Sequence, residues 1–468
     1  MNTQFALPLP QGENDLSIPA TVMKFGGTSL EDAAAFSRVA RLLVSSEAPT
    51  VVVVSAMSGV TDALMKALDV ACAHQGPAAE VLLDEQLERH LEVAVDLCPQ
   101  ALPKVQVVIE GVRRQITDVL RLAGNEPGAF GATSDAVSAY GEMLSAQLLT
   151  FVLNELGSPA LYVDSRRCIT TDNAHGNARP LAAPTTANTR MILGPLLEQK
   201  RLPVLGGFIG ATEHGVTTTM GRGSSDYTAT LVSAALGARK TQIWTDVNGV
   251  QTADPVLVNT ARTIPCLTYD EAEEMARLGA KVLHRRMFEP VRSKRIPIRI
   301  CNSRAPEAAG TLINDQRDVL KPVQTIRAIT YKNHQARIDI TSTPAFVANG
   351  FQRSIENVFE DRRLPVEIVG RAPTGMSFVC DEVPQLSAII ADLKRIGSVE
   401  VTGGRVVVGC VGEGLRVTNR QHETLTNILR SFEPGARWEK TNAVNMVCVV
   451  RSDIASSLVR TLHRELFE

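Results

Sequence analysis

The sequence predicts an α/β fold: a mainly parallel sheet sandwiched by helices, followed by two small ferredoxin-like modules. Three observations predict it. Short apolar runs end in Gly-rich turns and give way to helical patterns at four places, the alternation that builds a parallel sheet. One of those runs, PTVVVVS at Pro49–Ser55, is continuously apolar, as a strand buried on both faces must be. Beyond about Ile313 the rhythm changes to short strands and amphipathic helices in the order β-α-β-β-α-β, and a weaker cycle follows.

Taken in order, TVMKF (Thr21–Phe25) is a strand that runs into GGTS and a helical stretch from Leu30, with Thr28 and Glu31 spaced as a capping box. PTVVVVS ends in AMSG and a second helix. LPVLGGFIG (Leu202–Gly210) and TQIWTDVNGV (Thr241–Val250) repeat the pattern. Between them, TTTMGRGSSDYTAT (Thr217–Thr230) sets a lone arginine between two glycines at the mouth of a helix over Tyr227–Leu236. Gly237 is placed to end that helix, and Ser224 or Ser225 to cap it. In the C-terminal part ARIDIT, PVEIVG, MSFVC and VEVTG read as strands, with helices over Phe351–Phe359 and Leu386–Arg395. RVVVGC, a helix around Leu425–Phe432, NMVCVV and a helix over Ile454–Leu466 form the second cycle. The expected organisation is a flexible leader (1–20), an α/β domain (21–313), a linker (314–324) and modules over 325–402 and 403–468, the two intertwined or not.

Composition narrows the class. The chain has 468 residues, too many for one core, with 44% hydrophobic and 21% charged residues, an ordinary globular balance. A net charge of −2 and 4% aromatics argue against a nucleic-acid partner. No apolar run approaches the roughly 18 residues of a membrane span. The leader has no basic start and carries two acids, so it is a poor signal peptide. Eight cysteines stand far apart without a C-x-x-C pair, which fits a reducing cytoplasm.

In an open parallel sheet, ligands bind beyond the carboxyl ends of the strands, and the four Gly-rich turns lie at such ends. There is neither a G-x-x-x-x-G-K-[ST] loop nor a G-x-G-x-x-G after a strand. KFGGTS offers instead a strand-end lysine, two glycines that admit a ligand to the backbone, and hydroxyls at a helix start. That arrangement suits a phosphoryl group, although alone it equally suits a solvated lysine. The helix start after Gly223 favours an anion, and Arg222 adds a full charge there.

Seven blocks then occur in order: KFGGTS (Lys24–Ser29), SAMSGVT (Ser55–Thr61), YGEMLSA (Tyr140–Ala146), GGFIG (Gly206–Gly210), TTTMGRGSSDYTA (Thr217–Ala229), WTDVNGVQTADP (Trp244–Pro255) and LGAKVLH (Leu278–His284). On these blocks the chain resembles aspartate kinase of the amino-acid kinase superfamily, in its monofunctional form with two C-terminal ACT modules. The resemblance implies the amino-acid kinase fold and transfer of the ATP γ-phosphoryl group to the β-carboxylate of L-aspartate. It implies Lys24 and Asp226 as catalytic residues, with Lys24 on the phosphoryl group and Asp226 orienting it. Ser55, Thr61, Glu142, Phe208, Thr219, Arg222 and Ser225 are implied for the amino acid. Within that set, Glu142 would pair with its ammonium and Arg222 with its α-carboxylate. Lys24, Gly26, Gly27, Ser29, Thr245, Asp246, Gln251, Asp254 and Lys281 are implied for ATP, which would bring Mg²⁺ without a dedicated protein ligand.

Gln251, Val256 and Arg285 depart from the family's usual tyrosine, arginine and proline, and Arg285 is a candidate to replace the cation missing at 256. The ACT modules imply a homodimer or dimer of dimers and an amino-acid effector. PVEIVGRAPTG lacks the Ser-Glu signature of lysine-sensing members, so lysine, threonine, both or no effector stay open. Two other functions stay open as well: a glutamate-type acyl-phosphate kinase, and a catalytically weak nucleotide and amino-acid sensor.

Overall fold

The computed structural model describes residues 19–46, 48–123, 130–221, 223–280, 282–315, 326–342, 350–362, 364–412 and 419–468. Arg222 and Lys281 lie outside these residues, as do most of the expected leader and linker. The chain divides into two compact units, one of residues 1–246 with 286–299, the other of 247–285 with 300–468.

The first unit contains β1 (Thr21–Phe25), α1 (Ala33–Val44), β2 (Thr50–Val54), α2 (Val60–Cys72), α3 (Gly76–Leu97), α4 (Leu102–Ala123), α5 (Phe130–Glu155), β3 (Ala160–Val163), α6 (Ala182–Glu198), β4 (Leu202–Gly206), β5 (Ile209–Ala211), β6 (Thr217–Thr219), α7 (Ser225–Leu236) and β7 (Lys240–Thr245). Five of its strands run parallel in the order β3-β4-β2-β1-β7. Every residue of β1, β2 and β4 is buried, as continuous apolar strands covered on both faces require. Register sets Phe25 beside Val54 and Trp244, and Val54 beside Gly206, so the turns after β1, β2, β4 and β7 leave the sheet at one edge.

Three expectations change at this level. The helix after KFGGTS does not begin at Leu30. Gly27–Ser29 form a 3-10 turn, and α1 is capped by Asp32, whose side chain accepts from Ala35 N at 2.7 Å. Asp32 is the stronger cap because its carboxylate reaches the first-turn N–H groups directly, so Thr28 and Glu31 make no capping box. Gly131–Glu155 is long and apolar enough to cross a membrane by length and composition, contrary to the reading of the sequence. The window that meets this test is 72% buried inside the protein, because α5 is a core helix packed on α1, α2, α3 and α4.

The second unit contains β8 (Cys266–Leu267), α8 (Tyr269–Arg277), β10 (Thr311–Ile313), β11 (Ala328–Thr341), α10 (Phe351–Asp361), β12 (Val366–Ala372), β13 (Gly375–Asp381), α11 (Leu386–Leu393), β14 (Ser398–Val411), α12 (Asn419–Phe432), β15 (Asn445–Arg451) and α13 (Ser452–Phe467). Between β8 and β10 the chain passes through α9 (Glu289–Arg292) of the first unit and β9 (Ile298–Asn302). The sheet order β12-β13-β11-β14-β15 is antiparallel, the ferredoxin-like arrangement expected. VEVTG and RVVVGC, read as two strands, are one 14-residue strand, β14. β11 is equally long, and the two pair along their length with bulges near Gln335. Each therefore belongs to both modules: the sheet has two cores, one under Ile338, Phe378 and Ile355, the other under Val408, Cys448 and Leu458.

Candidate active site

At the shared edge of the first unit's strands lies a cavity of about 230 Å³ lined by Gly27, Ser55, Ala56, Ser58, Gly59, Thr61, Glu142, Phe208, Gly223 and Ser225, among others. Its walls come from the turn after β1, the start of α2, the middle of α5, the turn after β4 and the start of α7. Two helix N-termini face it, and both lack a side-chain cap hydrogen bond. Ser224 occupies the N-cap position of α7 but donates to Met220 O at 2.8 Å, so neither Ser224 nor Ser225 caps the helix as expected. Uncapped first-turn N–H groups at two dipole ends favour an anion.

Lys24, on the buried strand β1, forms an ion pair with Asp226 of α7 at 2.7 Å, each side chain 11% exposed. Its ammonium lies over the turn, about a methyl contact above Gly26, where a Cβ would stand 3.7 Å from Nζ. Gly26 N–H is spent on Trp244 O at 3.1 Å, so it is no phosphate donor, and Ser29 is buried. Gly27 lines the cavity against Ala56 O. Thr245 and Asp246 follow the end of β7 beside β1, half-buried and exposed, with Thr245 Oγ1 donating to Asp246 at 3.2 Å.

Glu142 is buried, and its Oε2 has no hydrogen-bond partner. Burial pushes its carboxyl up to about 8. The N–H of Ala56, its own N–H and the Lys24 charge pull the other way without prevailing. A buried acid with an unmet acceptor at a cavity wall is suited to a cation. Two glycines set its place: a Cβ on Gly206 would approach Glu142 within 3.0 Å, and one on Gly141 would meet Ala56 Cβ at 2.8 Å. A Cβ on Gly207 would lie 2.4 Å from Ser225 Cβ, so this glycine lets α7 close on β4. Phe208 holds a left-handed φ of +66° on the cavity wall, fixed by Thr228 Oγ1 at its N–H and Met220 N at its carbonyl. Such strain in a bulky residue persists only where its surroundings enforce it.

Thr219 does not line the cavity. Its hydroxyl donates to Asp135, a buried carboxylate that also receives Gly176 N and His175 Nδ1 at 3.0 and 2.8 Å. Sequence reading missed this hub, although Asp135 lies two helical turns before Glu142 on the same face of α5. Arg286 was missed too; it donates to Met220 O at 3.2 Å, beneath the Gly-Arg-Gly loop. Gly221 and Gly223 take φ of +92° and +77°, which is why glycines flank position 222. Arg222 itself lies outside the described residues.

Of the expected nucleotide residues, Gln251 and Asp254 belong to the second unit, where they border a separate cavity of about 240 Å³ with Val256 and Tyr331. Gln251 Oε1 is buried without a partner, and Asp254 accepts from Val256 N at 2.9 Å and Tyr331 at 3.3 Å. Lys281 lies outside the described residues. Arg285 borders a different cavity, of about 790 Å³, with Arg277, Lys332 and Arg371, so it does not stand in for the cation missing at Val256. The cysteines form no disulfide, and burial pushes Cys168 up to about 12 and Cys98 to about 11.

A small cavity walled by uncapped helix starts and a buried acid, close to a strand-end ammonium, suits a phosphotransferase. The sequence profile of the amino acid kinase family matches residues 19–302. Aspartokinase 2 (chloroplastic) of Arabidopsis thaliana is 32% identical over 467 residues, 96% of this chain and 84% of its own. Lysine-sensitive aspartokinase 3 of Escherichia coli K12 is 29% identical, over 96% and 99%. Among solved structures, E. coli aspartokinase III with aspartate and ADP in the R-state matches with a TM-score of 0.87 at 28% identity, covering 96% of this chain and all of that one. The same enzyme with lysine and aspartate in the T-state matches at 0.76. The chain belongs to the amino acid kinase family and, within it, to the aspartokinases.

Proposed function

We propose that the chain transfers the γ-phosphoryl group of ATP to the β-carboxylate of L-aspartate, giving 4-phospho-L-aspartate, the first step toward lysine, threonine and methionine. The observation that carries this reading is the buried Glu142, whose Oε2 has no hydrogen-bond partner, in one cavity with Ser225 and beside the Lys24–Asp226 pair. A carboxylate with an ordinary pKa near 3.9 is already ionised at neutral pH, so the nucleophile requires no general base. The barrier is the approach of two anions, and the residues answer it by placement and charge. Glu142 takes the substrate ammonium and Arg222 the α-carboxylate, which leaves the β-carboxylate free to attack. Ser55, Thr61, Phe208 and Ser225 bound the acceptor, and Thr219 acts from behind them through Asp135. Lys24, held by Asp226, meets the charge that develops on the transferring group.

Gly27 and the start of α7 supply close backbone approach to the phosphates, with Gly26 and Ser29 shaping the turn. Thr245, Asp246, Gln251, Asp254 and Lys281 are assigned to the nucleotide. Mg²⁺ is carried by the phosphates and water, and we assign it no side chain. The same reading keeps a catalytic domain (21–313), a linker (314–324) and two ACT modules (325–402 and 403–468) that share β11 and β14. The lysine-sensitive relative and the lysine complex of E. coli aspartokinase III support an amino-acid effector, with lysine, threonine or both as candidates, and we assign the assembly as a homodimer or dimer of dimers. Eight free thiols support a cytoplasmic location.

The test is trapping of the acyl phosphate with hydroxylamine in the presence of ATP. Aspartyl hydroxamate should form, L-glutamate should give almost none, and Arg222→Ala should raise the KM for aspartate more than that for ATP. Hydroxamate from glutamate alone, or ligand binding without any hydroxamate, would refute the assignment.

A further inference from the structure

The segment 250–264 of the second unit is a closed loop. Thr252 N donates to Arg262 O at 2.9 Å, Gln251 bridges to Thr263, and Ile264 N returns to Val250 O at 2.8 Å. Its front, at Gln251, Asp254 and Val256, borders the 240 Å³ cavity. Its back rests on α13, the last helix of the second module. Ala253 and Val258 are buried in the core with Leu458, Val459 and Leu462, and Arg460 donates to Leu257 O at 3.0 Å.

At the centre of that contact is a histidine the chemistry does not use. His463 is fully buried, its ring stacks on Phe467 with centroids 4.9 Å apart, and its Nε2 lies 3.0 Å from Thr252 Oγ1. Glu468 Oε1 beside Nδ1 can only accept, so the ring's N–H sits on Nδ1 and Nε2 accepts from Thr252 Oγ1, which in turn accepts from Arg262 N at 3.0 Å. Nδ1 is then the protonated nitrogen and donates to Glu468 Oε1 at 3.3 Å, where Thr260 Oγ1 also donates. One directed chain of hydrogen bonds therefore runs from the loop's neck through the imidazole to Glu468 and back to the loop's far side. Arg262 closes it on Phe467 O.

We propose that His463 is a positioning residue for ATP: from inside the regulatory part of the chain it sets the shape of the loop that presents Gln251 and Asp254 to the nucleotide. The inference rests on the nucleotide reading given above. A plain packing role would require only an apolar side chain here, whereas a buried imidazole bonded at both nitrogens fixes the neck of the loop in one geometry.

The test is steady-state kinetics and ADP titration on the full chain with His463→Leu, His463→Gln, Thr252→Val and the Leu/Val double variant. His463→Leu and Thr252→Val should each raise the KM for ATP and the Kd for ADP about five- to tenfold, as loss of one buried hydrogen bond does. The KM for aspartate should stay within about twofold, and the double variant should cost less than the sum of the two single ones, because the Thr252–His463 bond is lost in both. His463→Gln, which keeps an acceptor near the Nε2 position, should restore most of the affinity. An unchanged KM for ATP in Thr252→Val, or equal loss for both substrates, overturns the proposal even if His463→Leu fails to fold. Asp254→Ala in the same assay separates the two levels. If it weakens ATP while the His463 variants do not, only this inference falls; if it leaves ATP untouched, the nucleotide reading falls and takes the inference with it.

Discussion

Glu142 makes the sharpest prediction. Its carboxyl titrates at about 8 because burial disfavours the charged form, yet an ammonium ligand requires that form. Substrate binding must then remove a proton, and the apparent KM for aspartate should scale as 1 + 10^(8 − pH). Between pH 6 and pH 8 that factor falls from about 100 to about 2, roughly a fiftyfold gain, while the KM for ATP stays nearly flat. Glu142→Gln should abolish the pH dependence and hold the KM for aspartate high throughout. Stability moves oppositely. The folded pKa lies above the ordinary 4.5, so the unfolded chain ionises first, and the wild type loses stability as pH rises from about 4.5 to about 8. Glu142→Gln should therefore be the more stable protein at pH 8, by up to a few kcal/mol, and no different near pH 4. Initial rates across the pH range with thermal melts at the two ends measure both. A wild-type KM for aspartate that does not change from pH 6 to pH 8 would refute the account of Glu142.

Three further outcomes are expected. Lys24→Ala should lower kcat by about a thousandfold or more and leave the fold intact by circular dichroism, since the ion pair to Asp226 meets charge that develops in the reaction; a modest loss would reassign the lysine. Gly207→Ala should destabilise the protein by about 1–3 kcal/mol in denaturant melts and reduce kcat/KM for aspartate, because its Cβ would displace Ser225. Asp135→Asn should cost about 1–3 kcal/mol and raise the KM for aspartate, since one of the donors from Thr219, Gly176 and His175 must lose its acceptor; a neutral variant would show that the hub is idle.

The sequence by itself determined the alternation of strands and helices, the Gly-rich turns and part of the cavity lining, namely Gly27, Ser55, Thr61, Glu142, Phe208 and Ser225. These follow from local physics: apolar runs such as TVVVV, the left-handed angles at Gly221 and Gly223, and the stop at Gly237 depend on neighbours in the chain. The Asp32 cap was also local, and was missed only because Thr28, four residues earlier, offered a second plausible cap. What the tertiary structure alone decided is burial and partnership. That Glu142 is buried, that Thr219 bonds to Asp135, that Arg285 and Val256 border different cavities, and that His463 meets Thr252 across 211 positions all depend on which elements pack together. Desolvation and long-range hydrogen bonds arise between segments distant in the chain, so no window of neighbouring residues carries them.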